Sequence, residues 1–418
     1  LKTYNIYKIY TYYIQMKFKV SQKLYIHVDC DSFFASCEVL RHPEFKNKYV
    51  CVGGDIIVAA TYNAKYLWVK TWMPAWEAKK ILWEHAVFLA PDIGYYNKIS
   101  QKLMKILQEE TAWIEIFSID EAFCNITWIP EYHKKSHKEF LLFLQNKILN
   151  EVGIPVSIWM SHTRIKAKIF SKLDKPFGIT FFENTEAEQE IFKKLPLAII
   201  PFIGKSYQKK FEYRAISVFD FLNIWFWELK KQVGKNATTL WLELMWVDVF
   251  IVKKSTQTKS ISRTRSFNQE LSTDKKFLWE KLRRNFERAF EEMNSKNLET
   301  SNISIMFRNK EFICEYETYK IAKYTNSHKE IANIIQKLFE KLYSPWRVCR
   351  STGVFFLNLR SYLPKQRSIF ESKLRNPEQN YELSKVIENI NKENNLHLVT
   401  FWTTLLWEGE QVVQKLRE

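Results

Sequence analysis

Two short acidic motifs hold the side chains best suited to chemistry, and they lie roughly 90 residues apart. HVDCDSFF places Asp29 at the end of a predicted buried strand, and SIDEAF places Asp120 and Glu121 between two further predicted strands. Three carboxylates that meet at strand ends repel one another unless cations neutralise them, and hard oxygen ligands favour Mg²⁺. A pair of Mg²⁺ ions is what in-line phosphoryl transfer requires. Either motif alone is more typical of solvated acids at a strand end.

The hydrophobic pattern around these motifs predicts elements that would bring them together. Predicted strands lie at 24–29, 114–118, 122–127 and 155–159, and predicted helices at 33–40, 95–110, 138–152 and 163–173. This order is typical of a βαββαβ core. Shorter elements are predicted in between, with strands at 50–52 and 56–60 and helices at 63–67 and 75–82. Short helices with polar breaks follow over 183–251, and a second βαββαβ pattern covers 261–360, so the predicted fold class is α+β.

The charge of the chain points to a polyanionic partner. Its 418 residues include 63 Lys and Arg against 46 Asp and Glu, a net charge of +17. Residues 253–360 alone hold 22 basic and 12 acidic side chains, or +10 of that charge. Localised positive charge favours nucleic acid, although it is also found on solvated surfaces. A hydrophobic content of 46% excludes a disordered chain, and no apolar run approaches the ~20 residues of a membrane span. Six scattered cysteines favour reduced thiols and a cytoplasmic location.

Taken together, HVDCDSFFASCE and SIDEAF resemble the palm signature of the Y-family DNA polymerases, the DinB/UmuC type that copies damaged templates. The resemblance covers 24–359, about four fifths of the chain. It implies a right-hand fold and a template-directed, low-fidelity enzyme that adds dNTPs to a primer 3′-OH in translesion synthesis and DNA repair. It also implies that Asp29, Asp120, Glu121 and the backbone carbonyl of Cys30 hold two Mg²⁺ ions. Primer-template DNA and dNTPs are the partners that it implies.

The resemblance also divides the chain into domains. The predicted domains are an N-terminal extension at 1–21, a palm at 22–40 and 94–182, fingers at 41–93, a helix-hairpin-helix thumb at 183–251, a basic linker at 252–260, a βαββαβ little finger at 261–360 and a tail at 361–418. Met16 is an alternative start of the protein, in which case 1–15 would not belong to it.

Further motifs of the family suggest how the nucleotide is bound. Phe34 matches the steric gate, the aromatic side chain that clashes with a 2′-hydroxyl group, and the neighbouring Phe33 is assigned to the nucleotide site. Tyr62 and Lys65, in ATYNAK, match a tyrosine and an arginine that bind the triphosphate. Lysine lacks the bidentate fork of arginine, so a weaker grip is expected. Lys175, in DKPFG, matches another phosphate-binding lysine. Outside these motifs, Phe34 would be typical of a helix core and Lys175 of a solvated surface.

Two segments are predicted to contact DNA. PFIGKS resembles the thumb turn that grips a DNA phosphate, with Gly204 and Lys205 in matching positions and Phe202 in place of a glycine. The basic linker and the strand that follows it supply the remaining predicted contacts, Lys253, Lys254, Lys259, Arg263 and Arg265.

The tail carries a motif for a protein partner. QRSIF, with Gln366, Ile369 and Phe370, resembles the peptide by which bacterial polymerases bind a β-type sliding clamp, although five-residue motifs also occur by chance. The short motifs SCE, SIDEAFC and SISRTRSF favour the UmuC type, whose members need regulatory subunits of the UmuD kind.

Two other classes of function compete with this interpretation. The first is a catalytically silent family member that serves as a DNA-repair scaffold, but such proteins usually lose the metal carboxylates, and all three are present. The second is a basic RNA-binding protein built from two ferredoxin-like units. It would explain the charge and the βαββαβ patterns and leave the acidic motifs without a role.

The tryptophan and glycine contents are unusual. Glycine is 9 of 418 residues, where about 7% is usual, and tryptophan is 15. In WVKTWMP, Trp68 and Trp72 stand where the family typically has glycine, and Trp128 and Trp159 stand at similar positions. This pattern indicates a UGA codon that the organism reads as glycine and that has been translated as tryptophan. The alternative is a protein that is truly rich in tryptophan and poor in glycine. Trp241 and Trp279 lie in apolar helical contexts and are interpreted as genuine.

Overall fold

The computed structural model describes residues 21–83, 86–171, 173–181, 185–211, 215–250, 258–267 and 271–362. The chain divides into two compact units, Leu1–Ser255 and Thr256–Glu418. This division falls within the predicted basic linker. The predicted bounds of palm, fingers and thumb within the first unit stay predictions.

A five-stranded sheet forms the centre of the first unit. Its strands are β1 (Tyr25–Cys30), β5 (Trp113–Ile116), β6 (Glu121–Asn125), β7 (Val156–Ser161) and β8 (Ile179–Thr180). They lie in the order β5-β6-β1-β7-β8, so β1 is central and pairs antiparallel with both β6 and β7. Ile26 and Val28 are buried in the main hydrophobic core. Because side chains alternate along a strand, His27 and Asp29 point to the opposite face.

Helices cover the core face of this sheet. They are α1 (Phe33–Arg41), α4 (Ile93–Glu110) and α6 (His137–Val152), with the short α5 (Ile129–Tyr132) between the last two. Local capping fixes their ends. Asp92 accepts a hydrogen bond from the Tyr95 N–H at the start of α4. Ser136 and Glu139 form a capping box at the start of α6, and Gly153 (φ 81°) ends that helix.

Two smaller cores complete the first unit. One lies around a three-stranded sheet in the order β3-β2-β4, formed by β2 (Tyr49–Gly53), β3 (Ile57–Ala60) and β4 (Ala86–Leu89) with α2 (Tyr62–Tyr66) and α3 (Ala75–Leu82). The other is helical and contains α7 (Arg164–Phe170), α8 (Thr185–Lys194), α9 (Lys205–Lys209), α10 (Val218–Leu222), α11 (Phe226–Gln232) and α12 (Lys235–Leu244).

The second unit is a four-stranded antiparallel sheet with two helices on one face. The strands β9 (Ser260–Ser266), β10 (Leu298–Asn309), β11 (Cys314–Thr325) and β12 (Cys349–Ser361) lie in the order β11-β10-β12-β9. The helices α13 (Lys275–Ser295) and α14 (His328–Leu342) bury Ile303, Ile305 and Phe356 against the sheet.

The α+β class and the two βαββαβ patterns are confirmed, and most predicted bounds lie within a few residues of the observed ones. β10, β11 and β12 extend beyond the strands that the sequence predicts at 301–308, 312–319 and 352–358, because pairing continues past the apolar residues that the pattern detects. β4 and β8 were not predicted. Among the described helices, none is both long and apolar enough to cross a bilayer.

Candidate active site

The register of the central sheet brings the predicted acids together. Asp29 on β1 lies directly opposite Glu121 on β6. The Cys30 N–H donates to the Asp120 carbonyl at 2.9 Å, which ties the start of β6 to the end of β1. One ligand atom each from His27, Asp29 and Glu121 lies within 4.8 Å of the others. The two motifs therefore form one cluster, where β1 ends and β6 begins.

Asp120 and Cys30 contribute to this cluster in different ways. Asp120 is half-buried, and its carboxylate accepts a hydrogen bond from the Ser118 hydroxyl group. The Cys30 side chain is only 2% exposed and packs in the core, and burial raises the pKa of its thiol well above the usual value. The thiol is therefore unavailable as a ligand, so only the backbone carbonyl of Cys30 could serve.

Asp29 and Glu121 differ in pKa because their surroundings differ. Burial raises the pKa of Asp29 to about 6, although the nearby Lys175 opposes the shift. Burial also favours the neutral form of Glu121, but hydrogen bonds from His27 and Lys168 outweigh it and lower its pKa to about 2. Glu121 is thus firmly ionised at neutral pH, whereas Asp29 titrates closer to neutrality.

His27 holds Glu121 in place from the same strand that carries Asp29. Its Nε2 lies 2.8 Å from Glu121 Oε2, and its ring is fully buried. Burial lowers the pKa of His27 to about 4 against the opposing effect of Glu121, so the ring is neutral at pH 7 and Nε2 donates its hydrogen. The indole ring of Trp159 stacks on the imidazole with centroids 5.8 Å apart.

Two lysines neutralise the carboxylates. The Lys168 ammonium group contacts Glu121, and the Lys175 ammonium group contacts Asp29 and lies 3.8 Å from Asp31. Hard oxygen donors that already attract two ammonium groups form the donor set that a divalent cation such as Mg²⁺ prefers. The residues therefore fit a magnesium site, at Asp29, Asp120 and Glu121.

Asp31 organises the side of the site next to the cluster. It is 1% exposed and accepts hydrogen bonds from the Ser157 hydroxyl group at 2.9 Å and the Phe177 N–H at 2.8 Å. The Tyr62 hydroxyl group donates to it at 3.4 Å. Asp31 thus joins β1, β7 and the Lys175 segment. The sequence shows Asp31 within the first motif but gives no signal of this role.

The predicted triphosphate-binding residues converge around Asp31. Lys65 lies on α2 one turn after Tyr62, and its Nζ is 2.7 Å from Ser32 Oγ and 4.5 Å from the centre of the Tyr62 ring. Burial lowers the pKa of Lys65, and the positive charge of Lys175 lowers it further. Asp31 and Asp29 oppose this shift, so Lys65 lies among both basic and acidic side chains.

The two phenylalanines of the first motif have different environments. Phe34 is half-buried, and its ring stacks on Tyr96 with centroids 4.5 Å apart and an angle of 22°. Phe33 is 3% exposed and packs in the main core. Its side chain therefore cannot reach a nucleotide, and only its backbone N–H could do so.

A cleft of about 610 Å³ opens beside the acids. One wall carries Asp29, Lys168 and Lys175, and the other is the turn at 198–204. Gly204 and Lys205, predicted to bind DNA, lie exposed at the end of this turn. The structure thus places the predicted thumb turn across a cleft from the acidic cluster.

The predicted DNA contacts of the second unit lie on and next to β9. Lys259 and Arg265 are exposed, whereas Arg263 forms an ion pair with Glu292 at 2.6 Å. The sheet face opposite the helices carries further exposed side chains on β11, among them Tyr316 and Lys320, which the sequence did not single out. Lys253, Lys254, Gln366, Ile369 and Phe370 lie outside the described residues.

Two models of one protein family match the chain. The impB/mucB/samB family matches residues 28–172, and the C-terminal domain of the same family matches residues 258–369. Together they span more than half of the chain and include Asp29, Asp120 and Glu121. The chain belongs to the impB/mucB/samB family. This membership confirms the predicted Y-family DNA polymerase class.

Curated relatives and solved structures agree with this assignment. DNA polymerase IV of Nitrosopumilus maritimus (strain SCM1) is 29% identical over 347 residues, covering 79% of this chain and 94% of that protein. DNA polymerase IV of Staphylococcus aureus (strain JH9) is 26% identical, covering 84% of this chain and 99% of that protein. These relatives support a DinB-type polymerase, whereas three short motifs favour the UmuC type.

The fold is that of solved Y-family polymerases. A Y-family DNA polymerase chimera, Dbh-Dpo4(243-245)-Dbh, has a TM-score of 0.69 at 23% identity and covers 81% of this chain and 100% of its own. DinB from Sulfolobus solfataricus has a TM-score of 0.52 at 23% identity, with the same coverage. The predicted right-hand architecture is thereby confirmed.

Proposed function

We propose that this Y-family polymerase is a template-directed, low-fidelity enzyme that adds dNTPs to a primer 3′-OH by two-metal phosphoryl transfer, in translesion synthesis and DNA repair. The observation that carries the proposal is the convergence of the acidic cluster with Tyr62, Lys65 and Lys175. Carboxylates that could hold cations, next to basic side chains that could bind phosphate, would suit a metal–triphosphate substrate.

Asp29, Asp120, Glu121 and the carbonyl of Cys30 would hold the two Mg²⁺ ions. When bound, these ions supply charge stabilisation for the attacking and leaving oxygens of the displacement. His27 and Lys168 keep the Glu121 carboxylate ionised and oriented. No proton needs to leave Glu121 before it can act as a ligand.

The basic side chains would bind and orient the triphosphate. Lys175 now neutralises Asp29, and a triphosphate competes for the same ammonium group because it carries more charge. Lys65, whose Nζ donates to Ser32 Oγ at 2.7 Å, would bind the same anion. Phe34, supported by Tyr96, would form the floor under the sugar and exclude a 2′-hydroxyl group.

Contacts to the sugar-phosphate backbone would hold the primer-template DNA without reading its sequence. Gly204 and Lys205 lie at the cleft turn, and Lys259, Arg263 and Arg265 lie on or next to β9. Arg263 shares its charge with Glu292, so we expect it to contribute less than its two neighbours.

Primer extension tests the proposed function directly. With a primer-template duplex, all four dNTPs and Mg²⁺, the protein should extend the primer, and chelation of the metal should stop extension while DNA binding persists. A silent scaffold would bind the duplex without extending the primer. An RNA-binding protein would prefer single-stranded RNA to the duplex, and either result would contradict the proposal.

We further propose that QRSIF binds a β-type sliding clamp. Replacement of Gln366, Ile369 and Phe370 with alanine should remove stimulation by the clamp and leave clamp-free extension unchanged, because two apolar anchors supply most of such a peptide's affinity. If the clamp stimulated the variant and the parent protein equally, the motif would be a chance match. Dependence of extension on an added UmuD-type subunit would support a regulatory partner of that kind.

A further inference from the structure

Four tryptophans have a backbone conformation that favours glycine. The φ angles of Trp68, Trp72, Trp83 and Trp246 are 71°, 72°, 52° and 70°. In this region a Cβ atom collides with its own backbone, and glycine, which has no Cβ, is favoured. Among the described residues, no isoleucine, valine or leucine has a positive φ. Of the eleven described residues other than glycine with positive φ, four are tryptophan, three are phenylalanine, two are asparagine, one is lysine and one is serine.

Trp68 occupies the glycine position of a helix-ending motif. The Trp68 N–H donates to the Lys65 carbonyl at 2.9 Å, and the Val69 N–H donates to the Ala64 carbonyl at 3.3 Å. These two bonds, just after α2, form the Schellman motif, in which the residue with positive φ is usually glycine.

Trp246 occupies the same position after α12. The Trp246 N–H donates to the Glu243 carbonyl at 3.3 Å, and the Val247 N–H donates to the Leu242 carbonyl at 2.9 Å. The spacing of donors and acceptors is identical to that around Trp68. Two helices therefore end in the same glycine-dependent way with tryptophan at the critical residue.

Trp72 and Trp83 lie in two other settings that favour glycine. The Met73 N–H donates to the Lys70 carbonyl at 3.2 Å, so Trp72 is the third residue of a β-turn. A positive φ at that position is the mark of a type II turn, which favours glycine. Trp83 ends α3 with φ 52° and ψ −147°, close to a region that glycine almost alone adopts. Gly153, which ends α6 with φ 81°, shows that this chain uses glycine at a left-handed helix end.

At three of these sites the indole ring makes little stabilising contact that could offset the backbone strain. Trp68, Trp72 and Trp83 are 75%, 74% and 79% exposed, so their indole rings bury little apolar surface. Trp241 is the contrasting case: it is 1% exposed, lies within α12, and its Nε1 donates to the Leu222 carbonyl at 3.2 Å. Trp246 is half-buried, with the Lys166 ammonium group 3.8 Å from its ring centre.

We propose that the functional protein carries glycine at positions 68, 72, 83 and 246, because the organism reads the UGA codon as glycine. The low glycine and high tryptophan contents of the chain agree with such a codon. The structure adds Trp83 and Trp246 to the positions that the sequence indicates. It does not support Trp128, whose φ is −118°, or Trp159, which lies in strand β7 without a positive φ.

Mass spectrometry of the protein isolated from its own cells tests this proposal. Peptides that span 68, 72, 83 and 246 should each be lighter than the written sequence by the Trp–Gly mass difference at that position. The peptide that contains Trp241 should serve as the reference for a genuine tryptophan. Tryptophan at 68 and 72 in the native peptides would overturn the proposal.

A second measurement tests the backbone argument by itself. The variant W68G/W72G/W83G/W246G should melt at least about 8 °C above the chain as written, because each site releases left-handed strain. The matched variant with alanine at the same four positions removes the indole rings but keeps Cβ atoms. Its melting temperature should therefore rise clearly less than that of the glycine variant. Trp241→Gly should lower the melting temperature. Equal melting temperatures of the glycine and alanine variants would contradict the inference, since strain would then not be the cause.

Discussion

Asp120→Asn and Glu121→Gln should each slow primer extension by about 10³-fold or more while leaving DNA affinity nearly unchanged. Each substitution removes one negative charge from the cluster that would hold Mg²⁺, and such ions contribute several kcal/mol to transition-state stabilisation. Neither carboxylate is among the predicted DNA contacts, which are Gly204, Lys205 and residues on or next to β9. Single-turnover extension at saturating dNTP measures the first effect, and fluorescence anisotropy with labelled duplex measures the second.

A matched variant separates loss of the metal ligand from loss of a carboxylate in general. Glu115 lies on the neighbouring strand β5 and pairs with Arg164 at 2.8 Å, so Glu115→Gln should extend primers at close to the parental rate. Glu121→Gln also leaves Lys168 without its anionic partner, and melting temperatures show whether the fold is preserved. If either cluster variant kept a tenth of the parental rate, the assignment of these acids as metal ligands would be wrong.

The acids of the cluster could be predicted because their placement depends on short-range signals. Asp29 follows an apolar strand, and Asp120 and Glu121 lie between two others, so strand ends bring all three together. The role of Lys168 could not be found in this way. Arg164, Lys166 and Lys168 alternate along one helix, and only the fold determines that Lys166 is fully buried against Glu188 while Lys168 reaches Glu121.

The missed elements share a physical cause. β4 has only four residues and pairs parallel with β2, more than 30 residues earlier in the chain. Parallel pairing across a helical connection leaves no local turn signal, and four apolar residues are too few to show a period. Phe33 shows that a motif does not specify the direction of a side chain. Its motif suggests a nucleotide contact, whereas helix geometry directs its side chain into the core.

Phe34→Ala should admit ribonucleotides, lowering the discrimination between dNTP and rNTP by at least about tenfold with little loss of dNTP use. The gate acts by steric exclusion, so removing the ring removes a clash and not an attraction. Its support is rigid. Phe34 stacks on Tyr96, which is fully buried and donates a hydrogen bond to Glu38 at 2.6 Å.

The size of the side chain at position 34, and not its place in the motif, should set the selectivity for dNTPs over rNTPs. Phe34→Tyr keeps the ring on Tyr96 and should retain discrimination, whereas Phe34→Leu should give an intermediate value. The ratio of kcat/KM for a dNTP and its matching rNTP, measured opposite one template base, orders the three variants. If Tyr96 moved, the buried Glu38 carboxylate would lose its hydrogen bond, which is costly. Tyr96 should therefore stay in place and not fill the space left by Phe34→Ala. Unchanged discrimination in Phe34→Ala would therefore show that another group excludes the 2′-hydroxyl.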